Sequence, residues 1–275
     1  VKRSRLPLVL AAAVMLFLYL PVAVLVAHSF NSARFGGRWE GFTLGWYARL
    51  AHEPEIWRAL QNSLLVAVAV TLASTVVGTC AGFALHAWRG RLQRAHYALV
   101  YTPLVIPDIL MGMSLLALFV SVGARLGLAT IVIAQVTFCI SYVAMVVLAR
   151  LQGFDFTVLE AARDLGARWP EAARRVLLPL LAPGIAAGAL LAFTLSIDDF
   201  VITFFVAGPG STTLPLRIYS MIKHGSPPLI NALSTVMLVV TFAAVALSQR
   251  LAGGLRGAGG GGRGATEPLR TEDRP

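Results

Sequence analysis

The chain has 275 residues, 57% of them hydrophobic and 13% charged, with a net charge of +10 and a mean hydropathy of +0.75. Soluble domains carry about a quarter charged residues. So few charges cannot solvate a globular surface, which points to a membrane protein, and the long apolar runs below read as an all-α integral membrane fold. The two cysteines, Cys80 and Cys139, lie inside apolar runs and read as small packing residues, not as a disulfide framework or metal site.

In chain order, residues 6 to 27 carry no charge and follow Lys2, Arg3 and Arg5. The run is longer than the apolar core of a signal peptide, about 7–15 residues, and reads as a retained first membrane helix after a short cytoplasmic N-terminus, 1–5. Spanning takes about 20 apolar residues. Six segments qualify, 6–28, 62–87, 97–121, 127–149, 183–206 and 230–249, within a region 6–252. Pro103 and Pro107 fall in the third and predict a kink. Between the first two spans, "GWYARLAHEPEIWRAL" places Trp46, Leu50 and Trp57 for an amphipathic helix at the membrane interface. From Gly253 the Gly- and Arg-rich stretch to Pro275 has no periodicity and is expected to be a disordered cytoplasmic tail.

Basic residues set the orientation. With the N-terminus inside, sixteen of the 23 lysines and arginines fall on inner segments and seven on outer ones. The positive-inside rule then puts both termini in the cytoplasm of a plasma membrane surrounded by lipid. The basicity is topological, and nucleic acid is not needed as a partner.

The longest inner loop, 152–182, reads as two short helices. Thr157 and Glu160 have capping-box spacing. Gly166 is placed to end the first helix in a left-handed conformation, and Pro170 with Glu171 suits the first turn of the second. Ala161 and Ala162 make a small face that another backbone can approach. Glu160-Ala161-Ala162, Gly166, Val176, Leu178 and Pro179 together resemble the loop motif of ABC-importer permeases, with Val176 where isoleucine is usual. The resemblance implies a six-helix fold with a cytoplasmic coupling helix between spans 4 and 5, docked on an ATP-hydrolysing subunit. The bland reading, in which Glu160 only caps its helix, is compatible with it. No Gly-x-x-x-x-Gly-Lys-Ser/Thr occurs in the chain. No nucleophile–base pair or metal-ligand spacing stands out either. The chain reads as a transport subunit that binds no cofactor, with ATP on a partner.

Three acids sit inside apolar segments, where an ionised carboxylate costs several kcal/mol. Asp198 and Asp199 lie in "LAFTLSIDDFVITFF" and Asp108 follows Pro107. At about 1.5 Å per residue the pair falls in the outer half of the bilayer and Asp108 near its midplane. On a continuous helix Asp199 shares a stripe with Ser196 and Thr203, so Asp199 is the first candidate to face a water-filled path. Asp198 either shares that role or bonds to a neighbouring element. No lysine or arginine lies in the expected spans to pair with the three. Two readings stay open: carboxylates that meet a transported cation, or neutralised, hydrogen-bonded acids that hold helices together.

The runs "PLVIPDILMGMSLL" and "SIDDFVITFFVAGPGSTTLPLRIYSMIKHGSPPLINALST" resemble the second permease subunit of polyamine (spermidine/putrescine) importers. That resemblance, over about residues 5 to 250, implies a heteromeric importer with a second, different permease, two ATPases and an extracellular or periplasmic binding protein. It does not separate putrescine, spermidine and other organic cations. Gly208-Pro209-Gly210 and Pro215 mark a turn after the fifth span, either a plain turn or an outer gate. The residues leave rivals: an ion-coupled secondary transporter using the three acids as a proton relay, a membrane scaffold, and an exporter.

Overall fold

The computed structural model describes residues 6–33, 38–88, 90–225 and 227–258. The expected N-terminal segment 1–5 and most of the expected tail, 259–275, lie outside the described residues. Among those described there is no β-strand, only one bridge between Asn31 and Phe42. The helices form two compact units, Glu53–His224 and a second one made of the chain before and after it.

The flanking unit contains α1 (Leu6–His28), α2 (Gly45–Ala51) and α12 (Pro227–Ala258), with α12 packed against both α1 and α2. α12 runs past Gly253, so the expected irregular tail begins as helix. α1 is apolar on every side and none of its hydrophobic window is buried. The connection to α2 is ordered around Asn31. Its Oδ1 accepts from the amides of Ala33 (3.2 Å) and Glu40 (3.0 Å), its Nδ2 donates to the Arg38 carbonyl (2.7 Å), and its carbonyl accepts from the Trp46 indole (2.8 Å). The three residues expected on one interfacial helix are therefore divided between two. Trp46 is held inward by that bond and Leu50 is buried, while Trp57 belongs to the next helix, because Pro54 opens a new N-terminus.

The central unit is built on α3 (Pro54–Ala87), α6 (Leu128–Gln152) and α9 (Leu178–Ile197), whose mutual packing forms the core. α3 lies almost backbone-to-backbone on α6. A Cβ at Gly78 would come 2.7 Å from the Val143 side chain, and one at Gly82 3.0 Å from the Ala144 carbonyl. Small residues at such contacts are the usual device for helix association in lipid, where apolar burial supplies no driving force.

Among the described residues four helices are long and apolar enough to cross a membrane, and five if one bent pair counts as a single span; the apolar part of α12, Pro228–Ala243, is shorter. The bent pair, α4 (Arg91–Val105) and α5 (Asp108–Ser121), is the third expected span. It is broken by 110° where the sequence predicted only a kink. Pro103 is accommodated inside α4. Pro107 is not: it lacks an N–H and forces Ile106 out of the helical region, to φ −71°, ψ 131°. The fifth expected span is also discontinuous. α9 stops at Ile197, and a short α10 (Val201–Val206) restarts beyond the two aspartates. α11 (Leu214–Lys223) then returns to α3. Its first amide donates to the Ser63 hydroxyl (2.8 Å), Asn62 donates to the carbonyls of Gly210 (3.2 Å) and Thr212 (3.0 Å), and Arg217 pairs with Glu55.

Candidate functional site

Both helix breaks in the central unit place a carboxylate at a helix start. At the first, Asp108 is the first residue of α5, where the exposed amides and the helix dipole favour negative charge. At the second, Asp199 replaces the backbone ladder that would have carried α9 onward. Its Oδ1 accepts from the Ile202 amide (3.2 Å). Its Oδ2 accepts from the Thr203 amide (2.9 Å), the Thr203 hydroxyl (2.6 Å) and Gln135 Nε2 (2.9 Å). Aspartate competes in this way with helix continuation because its short side chain reaches amides three and four residues on.

Gln135 connects the break to α6. It is 2% exposed. Its Nε2 also donates to the Thr203 hydroxyl (2.9 Å), and its Oε1 accepts from the Ser196 hydroxyl (2.5 Å). Asp199, Ser196, Thr203 and Gln135 are thus one network in which every buried polar group has a partner, the condition under which such a network stabilises. Ser196 and Thr203 share it with Asp199, as their spacing predicted, but by capping and cross-helix bonding, since the continuous-helix stripe does not exist. Gln135 was missed by the sequence reading. Its signal was a glutamine in an otherwise apolar span, a polar group that needs a partner there.

Asp198 and Asp108 stand differently. Both side chains are exposed, and neither makes a hydrogen bond or ion pair among the described residues. The two breaks are joined through α5 and α10: at Gly112, one turn after Asp108, a Cβ would come 2.7 Å from the Phe205 ring and 3.4 Å from the Ile202 Cα. Tyr142 of α6 lies within electrostatic range of Asp108. Beyond α10, Thr130 of α6 donates to the Val206 carbonyl (2.8 Å). Gly208 leaves no room for a side chain, since a Cβ there would run into the Leu126 carbonyl, while Gly210 takes φ +78°. The Gly208-Pro209-Gly210 turn therefore needs one glycine for close approach and the other for dihedral freedom.

The second candidate region follows α6. α7 (Thr157–Asp164) starts after an Asx turn in which Asp155 Oδ1 accepts from the Thr157 amide (3.0 Å) and hydroxyl (2.7 Å). The expected Thr157–Glu160 capping box is not formed. Phe156 is the N-cap, Thr157 is already helical, and the carboxylate of Asp155 captures its donors. Glu160 is left exposed and unbonded among the described residues. The α7 C-terminus is a Schellman motif: the Gly166 amide donates to Arg163 (2.9 Å) and the Ala167 amide to Ala162 (3.1 Å), with Gly166 at φ +92°. Ala161 is exposed and Ala162 packs on the core, so the small face divides between surface and interior. Leu165 at the turn is 90% exposed.

The Thr157 hydroxyl and then its amide hold the Asp155 carboxyl below the ordinary aspartate range. A lowered value means that the cap's contribution is complete above the unfolded aspartate value, about 3.9, and is lost as pH falls through the lowered one. Hydrogen exchange of the α7 peptide, corrected for intrinsic rates, should speed up in Asp155→Ala at neutral pH and stay near wild type in Asp155→Asn. Equal exchange in wild type and Asp155→Ala would show that the cap contributes nothing.

After Gly166, α8 (Trp169–Ala172), with Pro170 in its first turn, runs through a π turn (Ala173–Leu177) into α9 as one continuous helix, Trp169–Ile197. The π turn sits where Pro179 removes a donor and crowds the Arg175 carbonyl. Pro179 thus lies inside the helix that leads from the α7–α8 hairpin to Asp198.

A family model described as "Binding-protein-dependent transport system inner membrane component" matches residues 74–256. The chain belongs to this family. It is thus an inner-membrane transport component and a multi-pass membrane protein. Among its relatives in this transport family, the spermidine/putrescine transport system permease protein PotC of Escherichia coli (strain K12) is 42% identical over 240 residues, 87% of this chain and 91% of the relative. The putrescine transport system permease protein PotI of the same strain is 42% identical over 229 residues, 81% of this chain and 82% of the relative. The transport-family fold is shared with a bacterial ABC transporter involved in the import of alginate (TM-score 0.68, 16% identity, 91% of this chain and 98% of that one). It is shared also with the MetNI methionine ABC transporter (TM-score 0.62, 21% identity, 72% and 96%).

Proposed function

We propose that this chain is the permease subunit of an ATP-driven polyamine importer, lining the path for spermidine- or putrescine-like cations. The observation that carries the reading is the pair of exposed carboxylates, Asp108 and Asp198, set at two helix breaks in apolar segments and left without an ion pair among the described residues. Their positive partner is then the cargo, and amines exchanging water for successive carboxylates suit a slender polycation. The likeness to PotC and PotI supports the substrate class. Asp199, with Ser196 and Thr203, shapes the wall of the path by fixing the α9–α10 break.

The reading counts α12 as the sixth span and places both termini in the cytoplasm, following the basic residues. The α7–α8 hairpin, with Glu160, Ala161, Ala162 and Gly166, docks on an ATPase through exposed Leu165 and Trp169, and the helix containing Pro179 carries the movement to Asp198. ATP is hydrolysed by two separate subunits. A second, different permease completes the path, and a periplasmic binding protein delivers the cation. This chain is not itself an enzyme. Alternating access follows when ATP binding favours one arrangement of the hairpins over the other.

The test is uptake of labelled spermidine and putrescine into proteoliposomes carrying the complete complex. Uptake that requires ATP and survives collapse of the proton gradient is expected. Uptake abolished by that collapse at constant ATP would establish the ion-coupled rival, and no uptake of either amine would overturn the substrate class.

A further inference from the structure

Beyond the α9–α10 break lies a cluster that the acids do not account for. The rings of Phe200 and Tyr219 are 4.8 Å apart, those of Phe204 and Tyr219 6.0 Å, and those of Phe200 and Phe204 5.6 Å. The cluster is not a sealed core: Phe204 is 48% exposed, and Phe200 and Tyr219 are half-buried. Over Tyr219 stands the Lys223 ammonium, 5.2 Å from the ring centroid, with no ion pair among the described residues. An ammonium at this distance from a ring face is attracted by the ring quadrupole, weakly where water reaches it.

We propose that Phe200, Phe204 and Tyr219 form an aromatic subsite for one alkylammonium group of the cargo, and that Lys223 occupies it as a tethered surrogate until the cargo displaces it. The inference rests on the polyamine reading above and adds a second kind of contact to it. Asp198 is two residues before Phe200, no more than about 7 Å along the backbone. A carboxylate and an aromatic cluster so close in the chain offer two kinds of cation contact, which a chain bearing two or more ammonium groups can engage together and a monovalent cation cannot. The platform is held firmly. Arg217, about 200° around α11 from Tyr219, is tied to Glu55, and Leu214 and Asn62 fix the start of the helix to α3. The exposed Lys223 side chain is a long stem with four rotatable bonds, whose single charge competes with the cargo for the ring.

The experiment is initial uptake of labelled spermidine against concentration, with ATP, for the reconstituted complex carrying Tyr219→Leu, Tyr219→Phe or Lys223→Met. Tyr219→Leu is expected to raise KM about 5- to 30-fold with kcat little changed. Tyr219→Phe, which keeps the ring, restores wild-type KM, and Lys223→Met lowers KM by removing the competitor. Amine-selective labelling of Lys223 in the wild type should speed up when spermidine is added, a readout independent of whether Tyr219→Leu assembles. KM unchanged in an assembled Tyr219→Leu, equal damage from phenylalanine and leucine, or Lys223 labelling indifferent to spermidine overturns the subsite. A wild type that imports no polyamine instead overturns the substrate reading on which the subsite rests, so the two failures are distinguishable.

Discussion

Replacing Asp199 by alanine is expected to lower the stability of the assembled complex, whereas Asp198→Asn should leave stability unchanged and still abolish most transport. The two neighbours differ only in what their oxygens already do. Asp199 accepts from two amides, one hydroxyl and the buried Gln135. Its removal leaves the amides of Ile202 and Thr203 without that acceptor and Gln135 Nε2 with Thr203 alone. Each donor left unsatisfied in a buried setting costs about 1–3 kcal/mol. Partial relaxation and the non-additivity of neighbouring bonds bring the expected total to about 2–4 kcal/mol. Asp199→Asn should fall between, because one amide oxygen can serve Thr203 and Gln135 while its NH2 then faces the Ile202 amide. Asp198 has no bond to lose. If it meets a cargo ammonium, converting it to an amide removes a charge-assisted contact, and uptake should fall about tenfold to a hundredfold. Thermal unfolding of the purified complex and uptake, measured side by side, check this. Unchanged melting in Asp199→Ala with lost uptake would make Asp199 a direct cargo contact; unchanged uptake in Asp198→Asn would remove Asp198 from the path.

The same pair shows how far the sequence could be read. Two aspartates in an apolar run identify a place where something unusual happens, because burying carboxylates without compensation is too costly. Composition and run length likewise give the all-helical membrane class, and α1 begins and ends where its charge-free stretch does. What sequence spacing cannot supply is the backbone between periodic segments. The 3.6-residue stripe that grouped Asp199 with Ser196 and Thr203 presupposed an unbroken helix. In the structure the same residues meet because the helix breaks, with the Asp199 carboxylate hydrogen-bonded and the Asp198 side chain exposed. Pro107 predicted a bend, but the size of that bend depends on what α5 packs against, chiefly Phe205 at Gly112. The Thr157–Glu160 spacing matched a capping box, yet Asp155 two residues earlier offered the stronger acceptor. Gln135 and Tyr219 gain their roles only from partners more than sixty and about twenty residues away in sequence, information that local patterns do not contain.

The second large effect concerns the helix that links the two candidate regions. Trp169–Ile197 is 29 residues long, about 43 Å at 1.5 Å per residue, and its two ends are the α7–α8 hairpin and Asp198. A displacement imposed at one end arrives at the other only if the helix stays unbroken through its weakest part, the π turn ahead of Pro179. Arg174 and Arg175 lie in that turn with exposed side chains. Changing both to glycine should favour a break there by about 2 kcal/mol relative to changing both to alanine, close to a 30-fold shift in the population of the intact helix. The alanine pair removes the same two charges and the same Glu171–Arg175 ion pair (3.0 Å), so it controls for electrostatics. The expected result is ATP hydrolysis in both complexes but uptake per ATP about tenfold or more lower in the glycine pair, since a helix that bends at the π turn absorbs the displacement before it reaches the α9–α10 break. Equal uptake per ATP from the two variants would mean that the movement reaches Asp198 by another route, with α6 the alternative because Gln135 ties it to the same break.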